Sequence, residues 1–75
     1  MTNQVEEYIK IMKEMVENEM IDRSRANDRV DGFIAASEGK TFDEYFAIQK
    51  DLVDSEYASK AQGNARIYGF LDYKN

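Results

Sequence analysis

The stretch SEGKTFDEYF, residues 37 to 46, is the one place where stop and start signals cluster in a chain that has no proline. Gly39 suits the left-handed conformation that ends a helix. Thr41 and Glu44 have the spacing of a capping box, and Phe42 opens an apolar periodic run. A 75-residue chain with one reversal reads as all-α and as a single domain over 1–75. The pattern predicts one helix over about 4–38, a turn at 38–41 and a second helix over about 42–73. Each would be roughly 50 Å long. A turn this short makes the two antiparallel, an αα-hairpin. A break between Ser24 and Asn27, giving three helices, is the alternative. No internal repeat and no low-complexity segment stands out.

The apolar spacing supports long helices. Val5, Ile9, Met12, Val16, Met20, Val30 and Ile34 fall on one arc of the first. Phe42, Tyr45, Phe46, Leu52, Val53, Ile67 and Leu71 do so on the second. Both stripes turn polar midway, at Arg23 and Asn27 and at Glu56 and Lys60. Folding about the turn sets Arg23 opposite Glu56. These four residues form a structural polar waist, better suited to fixing register than to adding stability. Arg25, Asp28 and Arg29 fall on an outward face of mixed charge.

A domain this short buries only about 60% of its unfolded surface. With no Cys there is no disulfide to help, so a partner chain is the remaining aid. Ile11 and Ile21 lie opposite the main stripe of the first helix. Ala58, Ala61 and Ala65, with Tyr57, Tyr68 and Phe70, provide small and aromatic surface on the second. These eight residues are the expected oligomer or partner interface. A homodimer of hairpins, closing a four-helix bundle of coiled-coil type, completes the fold most simply.

Composition also bears on function. There is no His to serve as a general base, no glycine cluster before a helix to cradle phosphate, and no thiol. Neither catalysis nor a cofactor or metal is expected. The acid pairs Glu14/Glu17, Asp28/Asp31 and Asp51/Asp54 have the spacing with which all-helical nucleotide pyrophosphohydrolases hold Mg²⁺, which leaves such an enzyme as an alternative. On the helical wheel, however, Glu14, Glu17 and Asp28 point outward, as on a solvated face. A net charge of −5 disfavours direct nucleic-acid binding. It admits an acidic mimic of nucleic acid, although Lys10, Lys13, Arg25 and Arg29 interrupt any single-sign field. MTNQVEEYIK lacks the blocks of a signal peptide, and no apolar run reaches the ~18 residues of a membrane span, so a soluble cytoplasmic protein is expected.

In size, acidity and lack of Cys, His and Pro, the chain resembles small accessory proteins of bacteriophages and mobile elements. Many of those bind a host protein and inhibit or redirect it. The resemblance implies a non-catalytic interaction or regulatory protein, and it assigns no role to any residue.

Overall fold

The computed structural model describes residues 3–74, which form four helices: α1 Asn3–Glu17, α2 Arg23–Ser37, α3 Phe42–Asp54 and α4 Lys60–Lys74. The all-α reading holds, and so does the reversal after α2. Gly39 adopts φ 95°, and Thr41 and Glu44 close their capping box at the start of α3. The two long helices are a different matter. Each is divided in two, the first at 18–22 and the second at 55–59. The molecule is therefore at most 33 Å long, well short of the roughly 50 Å that unbroken helices would need.

Both breaks have the same cause. Glu19 and Glu56 take left-handed conformations, with φ 60° and 67°. The amides of Asn18, Glu19 and Met20 donate back to the carbonyls of Glu14, Val16 and Met15. Those of Ser55, Glu56 and Tyr57 donate to Asp51, Val53 and Leu52 in the same order. These closures satisfy the last carbonyls of α1 and α3. A left-handed glutamate costs roughly 1–2 kcal/mol and leaves no glycine or proline in the sequence as a marker. Each following helix restarts on a capping side chain. The Asp22 carboxylate accepts from the Arg25 amide at 2.8 Å, and the Ser59 hydroxyl oxygen accepts from the Gln62 amide at 3.0 Å.

The two breaks are equivalent because the chain is a tandem repeat, contrary to the expectation that it holds none. Sliding the sequence by 37 residues lays Glu7, Tyr8, Ile11, Lys13, Val16, Glu19, Asn27, Arg29, Gly32 and Phe33 on identical residues, from Glu44 to Phe70. The structure obeys the same relation. Tyr8 stacks on Phe33 inside the α1–α2 hairpin, with ring centroids 4.1 Å apart, and Tyr45 stacks on Phe70 inside α3–α4, at 5.1 Å.

The hairpins join where α2 crosses α4, the most extensive helix pairing in the molecule. Two glycines allow this close approach. A Cβ on Gly32 would collide with the Arg66 carbonyl oxygen, and one on Gly69 would collide with the Arg29 carbonyl oxygen. Arg29 and Arg66 are themselves equivalent in the repeat, so the contact is reciprocal. The halves are related by a pseudo-two-fold axis, as subunits of a symmetric dimer would be. Four helices thus pack within one chain, α1 on α2 and α3 on α4, with α2 and α4 in the middle. Tyr8, Met12 and Phe33 centre one apolar cluster and Tyr45 and Phe70 the other, with Tyr73 packed against both.

Candidate functional site

Each hairpin carries an open groove between its two helices, and the two grooves match residue for residue. The floor of the α1–α2 groove is Ile9, Met12, Val16, Ala26 and Val30. The floor of the α3–α4 groove is Phe46, Gln49, Val53, Gly63 and Ile67, the same positions 37 residues later. The rims correspond as well. Lys13, Glu17, Arg23 and Asn27 edge the first, and Lys50, Asp54, Lys60 and Asn64 edge the second. Their volumes are about 400 and 300 Å³. In the second rim the Lys50 ammonium meets Asp54 at 2.9 Å, and this holds the Lys50 pKa above its ordinary value. Both rims carry two cations and one acid in a chain whose net charge is −5.

Two rim features run against local helix preferences. Arg23 and Lys60 are the first residues of α2 and α4, where the helix dipole favours anions. Asn27 and Asn64 are weak helix formers, exposed in mid-helix. Both repeats keep both features.

Between the hairpins the polar contacts are unequal. Arg66 reaches across the axis to Asp28, Nε to Oδ1 at 3.3 Å, and donates to the Gln49 side chain at 3.0 Å. Asp28 is buried, and its Oδ2 has no partner. Arg29, the counterpart of Arg66, lies over the Tyr68 ring at 5.7 Å, and its buried Nε has no hydrogen-bond partner. The Tyr8 hydroxyl donates to Asp72 at 2.6 Å. Burial pushes the Tyr8 phenol above its ordinary pKa; the hydrogen bond and the charge of Asp72 add to this, and Arg29 opposes it. Burial likewise raises Tyr45, with Arg66 opposing.

The expected interface residues are scattered. Phe70 is wholly buried, Ala58 and Ala65 are buried, and Ile21 is half-buried. Ile11, Ala61, Tyr57 and Tyr68 are exposed, Tyr57 most of all at 85%. The waist is not an internal registry. Arg23, Asn27, Glu56 and Lys60 are all exposed, with Glu56 in the α3–α4 loop. The buried ionic link between the halves is Asp28 with Arg66, whereas an unbroken helical wheel places Asp28 on the outer face. Helical phase is lost at residues 18–22, so a wheel carried through that break misplaces everything beyond it. The offset comparison is the signal that finds the grooves.

Among the described residues, no group of three acidic side chains is placed to hold a metal ion, and no helix is long and apolar enough to cross a membrane. No protein-family profile, curated protein or solved structure matches the chain.

Proposed function

We propose that the protein is a non-catalytic interaction protein that regulates another protein by binding it, as do the accessory proteins it resembles in composition. The pair of equivalent grooves carries this reading. A groove between two antiparallel helices, with polar edges and a floor that is apolar apart from Gln49 in the second, accepts the apolar face of a third helix. Two such grooves in one chain can take two copies of the same element. The local positive excess of each rim favours a helix with acidic flanks. Arg23 and Lys60, placed against the dipoles of their own helices, give up folding stability that partner binding would reward.

Selection from a displayed library of amphipathic helices tests this. The expected outcome is a convergent peptide with acidic flanks that binds at two peptides per chain. Lys13→Glu should remove one site, and adding Lys50→Glu should remove the other, with the fold retained and unfolding shifted only by the few tenths of a kcal/mol that an i,i+4 charge pair carries. A library that yields no convergent sequence, or a peptide indifferent to both substitutions, would refute the reading.

A second reading is homodimerisation. The equivalent residues Ile11 and Ile48 favour it, since they expose 50% and 44% of their surface on the outer faces of α1 and α3. Sedimentation equilibrium at micromolar concentration checks it. A dimer dissolved by Ile11→Lys with Ile48→Lys would establish it, and a monomer throughout would exclude it.

A further inference from the structure

The repeat supplies an internal control for each arginine at its axis. Arg66 is answered by the carboxylate of Asp28, with Asp31 one turn further along α2 and Gln62 opposite. Under the 37-residue shift, Asp28 corresponds to Ala65, Asp31 to Tyr68 and Gln62 to Arg25. Around Arg29, therefore, both of those carboxylates are gone and a neutral amide has become a guanidinium, while Asp72, where the other half has Ala35, is engaged by the Tyr8 hydroxyl at 2.6 Å. The result is a cleft of about 400 Å³ between α2 and α4, lined by Arg25, Arg29, Lys60, Asn64, Ala65 and Tyr68 among others. Three of its lining residues are cations and none is acidic. Under the same shift, the charged residues at the corresponding positions are Arg23, Arg66, Asp28 and Asp31, two cations and two acids, of which Arg66 and Asp28 are paired.

We propose that this cleft is a binding site for a small polyanion bearing phosphate or carboxylate oxygens. Such a ligand would occupy, against Arg29, the position that the Asp28 carboxyl occupies against Arg66. Three observations converge on it. The Arg29 Nε is buried without a hydrogen-bond partner, and a buried guanidinium donor left unmade is costly. The small Ala65 side chain leaves room where the other half has a carboxylate. The Arg29 guanidinium carbon lies over the Tyr68 ring, 5.7 Å from its centroid, which keeps the cation beside the cleft where its donors can serve a planar or tetrahedral anion. Arg25 also lies 4.0 Å from Asp22, but both are exposed, and such a pair in water competes weakly with a ligand. More than one negative charge is called for, because three cations share one cleft.

The cleft shares Lys60 and Asn64 with the rim of the α3–α4 groove but no residue with the α1–α2 groove, so Lys13→Glu, which alters only the latter, separates the two readings. The test is an amide chemical-shift titration of the whole chain with pyrophosphate and, in a parallel arm, with citrate. Saturable shifts centred on Arg25, Arg29, Asn64 and Tyr68 are expected, weakening as salt rises. The tighter arm identifies the oxygen chemistry as phosphoryl or carboxylate. Ala65→Asp copies the missing carboxylate into the cleft and should weaken binding at least about tenfold, with Lys13→Glu binding like the parent. Arg25→Gln copies the other half at an exposed position, should also bind more weakly, and serves if the first variant fails to fold. Shifts spread evenly over all Lys and Arg residues, no shifts in either arm, or binding undiminished in Arg25→Gln would overturn the proposal.

Discussion

At the scale of single residues, Gly32 and Gly69 are the most informative positions. Glycine in mid-helix is ordinarily worse than alanine by about 1 kcal/mol, so propensity alone makes Gly32→Ala stabilising. Here the added carbon would strike the Arg66 backbone, and backbone cannot rotate aside. The substitution should instead cost about 3 kcal/mol, the upper end of overpacking, and Gly69→Ala should cost about as much. Chemical denaturation of the two variants checks the sign. Asp28→Ala should cost about 3–5 kcal/mol, because it leaves the Arg66 guanidinium mostly buried without its carboxylate. These roles were poorly legible in the sequence. Gly32 reads there as a weak point in a helix, and only the crossing shows that nothing larger fits.

At the scale of elements, chain reversals decide the fold, and they differ in how openly they are written. The α2–α3 turn combines a glycine with Thr41 and Glu44 and was readable in full. The breaks at Glu19 and Glu56 were not, since neither residue is one that left-handed backbone favours. Asp22 and the Ser59–Gln62 spacing were the signals available there, as helix starts inside apparently continuous periodic runs. Glu19→Gly and Glu56→Gly should each stabilise the protein by about 0.5–1 kcal/mol by relieving the strained backbone. Melting temperature should rise about 4–8 °C per kcal/mol in a domain this small.

The caps and stacked rings also set the pH response. The Thr41 amide, then its hydroxyl, holds Glu44 below its ordinary pKa. That contribution is present above the unfolded carboxylate range and is lost as pH falls through the folded value. Glu44→Gln should therefore flatten the acid limb of a thermal-unfolding profile. Tyr8 and Tyr45 are shifted the other way. Their contribution is complete below the ordinary tyrosine value of about 10 and is lost as pH rises through the folded values. Stability should fall on the alkaline side, less steeply in Tyr8→Phe, with phenolate absorbance appearing late in the native state.

At the scale of the whole molecule, the sequence announced helices, one reversal and an apolar core, and each is present. It also held the duplication, with ten identities at one offset, diluted by substitution everywhere else. A pattern sought at the helical period does not expose a relation 37 residues long. Once it is seen, the joining of the two hairpins, the paired grooves and the unequal arginines follow from one axis. The reciprocal crossing of α2 and α4 is the claim on which all of this rests. It is tested directly by isotope-filtered nuclear Overhauser spectra on a mixture of labelled and unlabelled chains. Contacts from the Gly32 α-protons to Arg66 and Phe70, and from the Gly69 α-protons to Arg29, should appear within one chain. Their absence, or their appearance only between chains, would contradict the account.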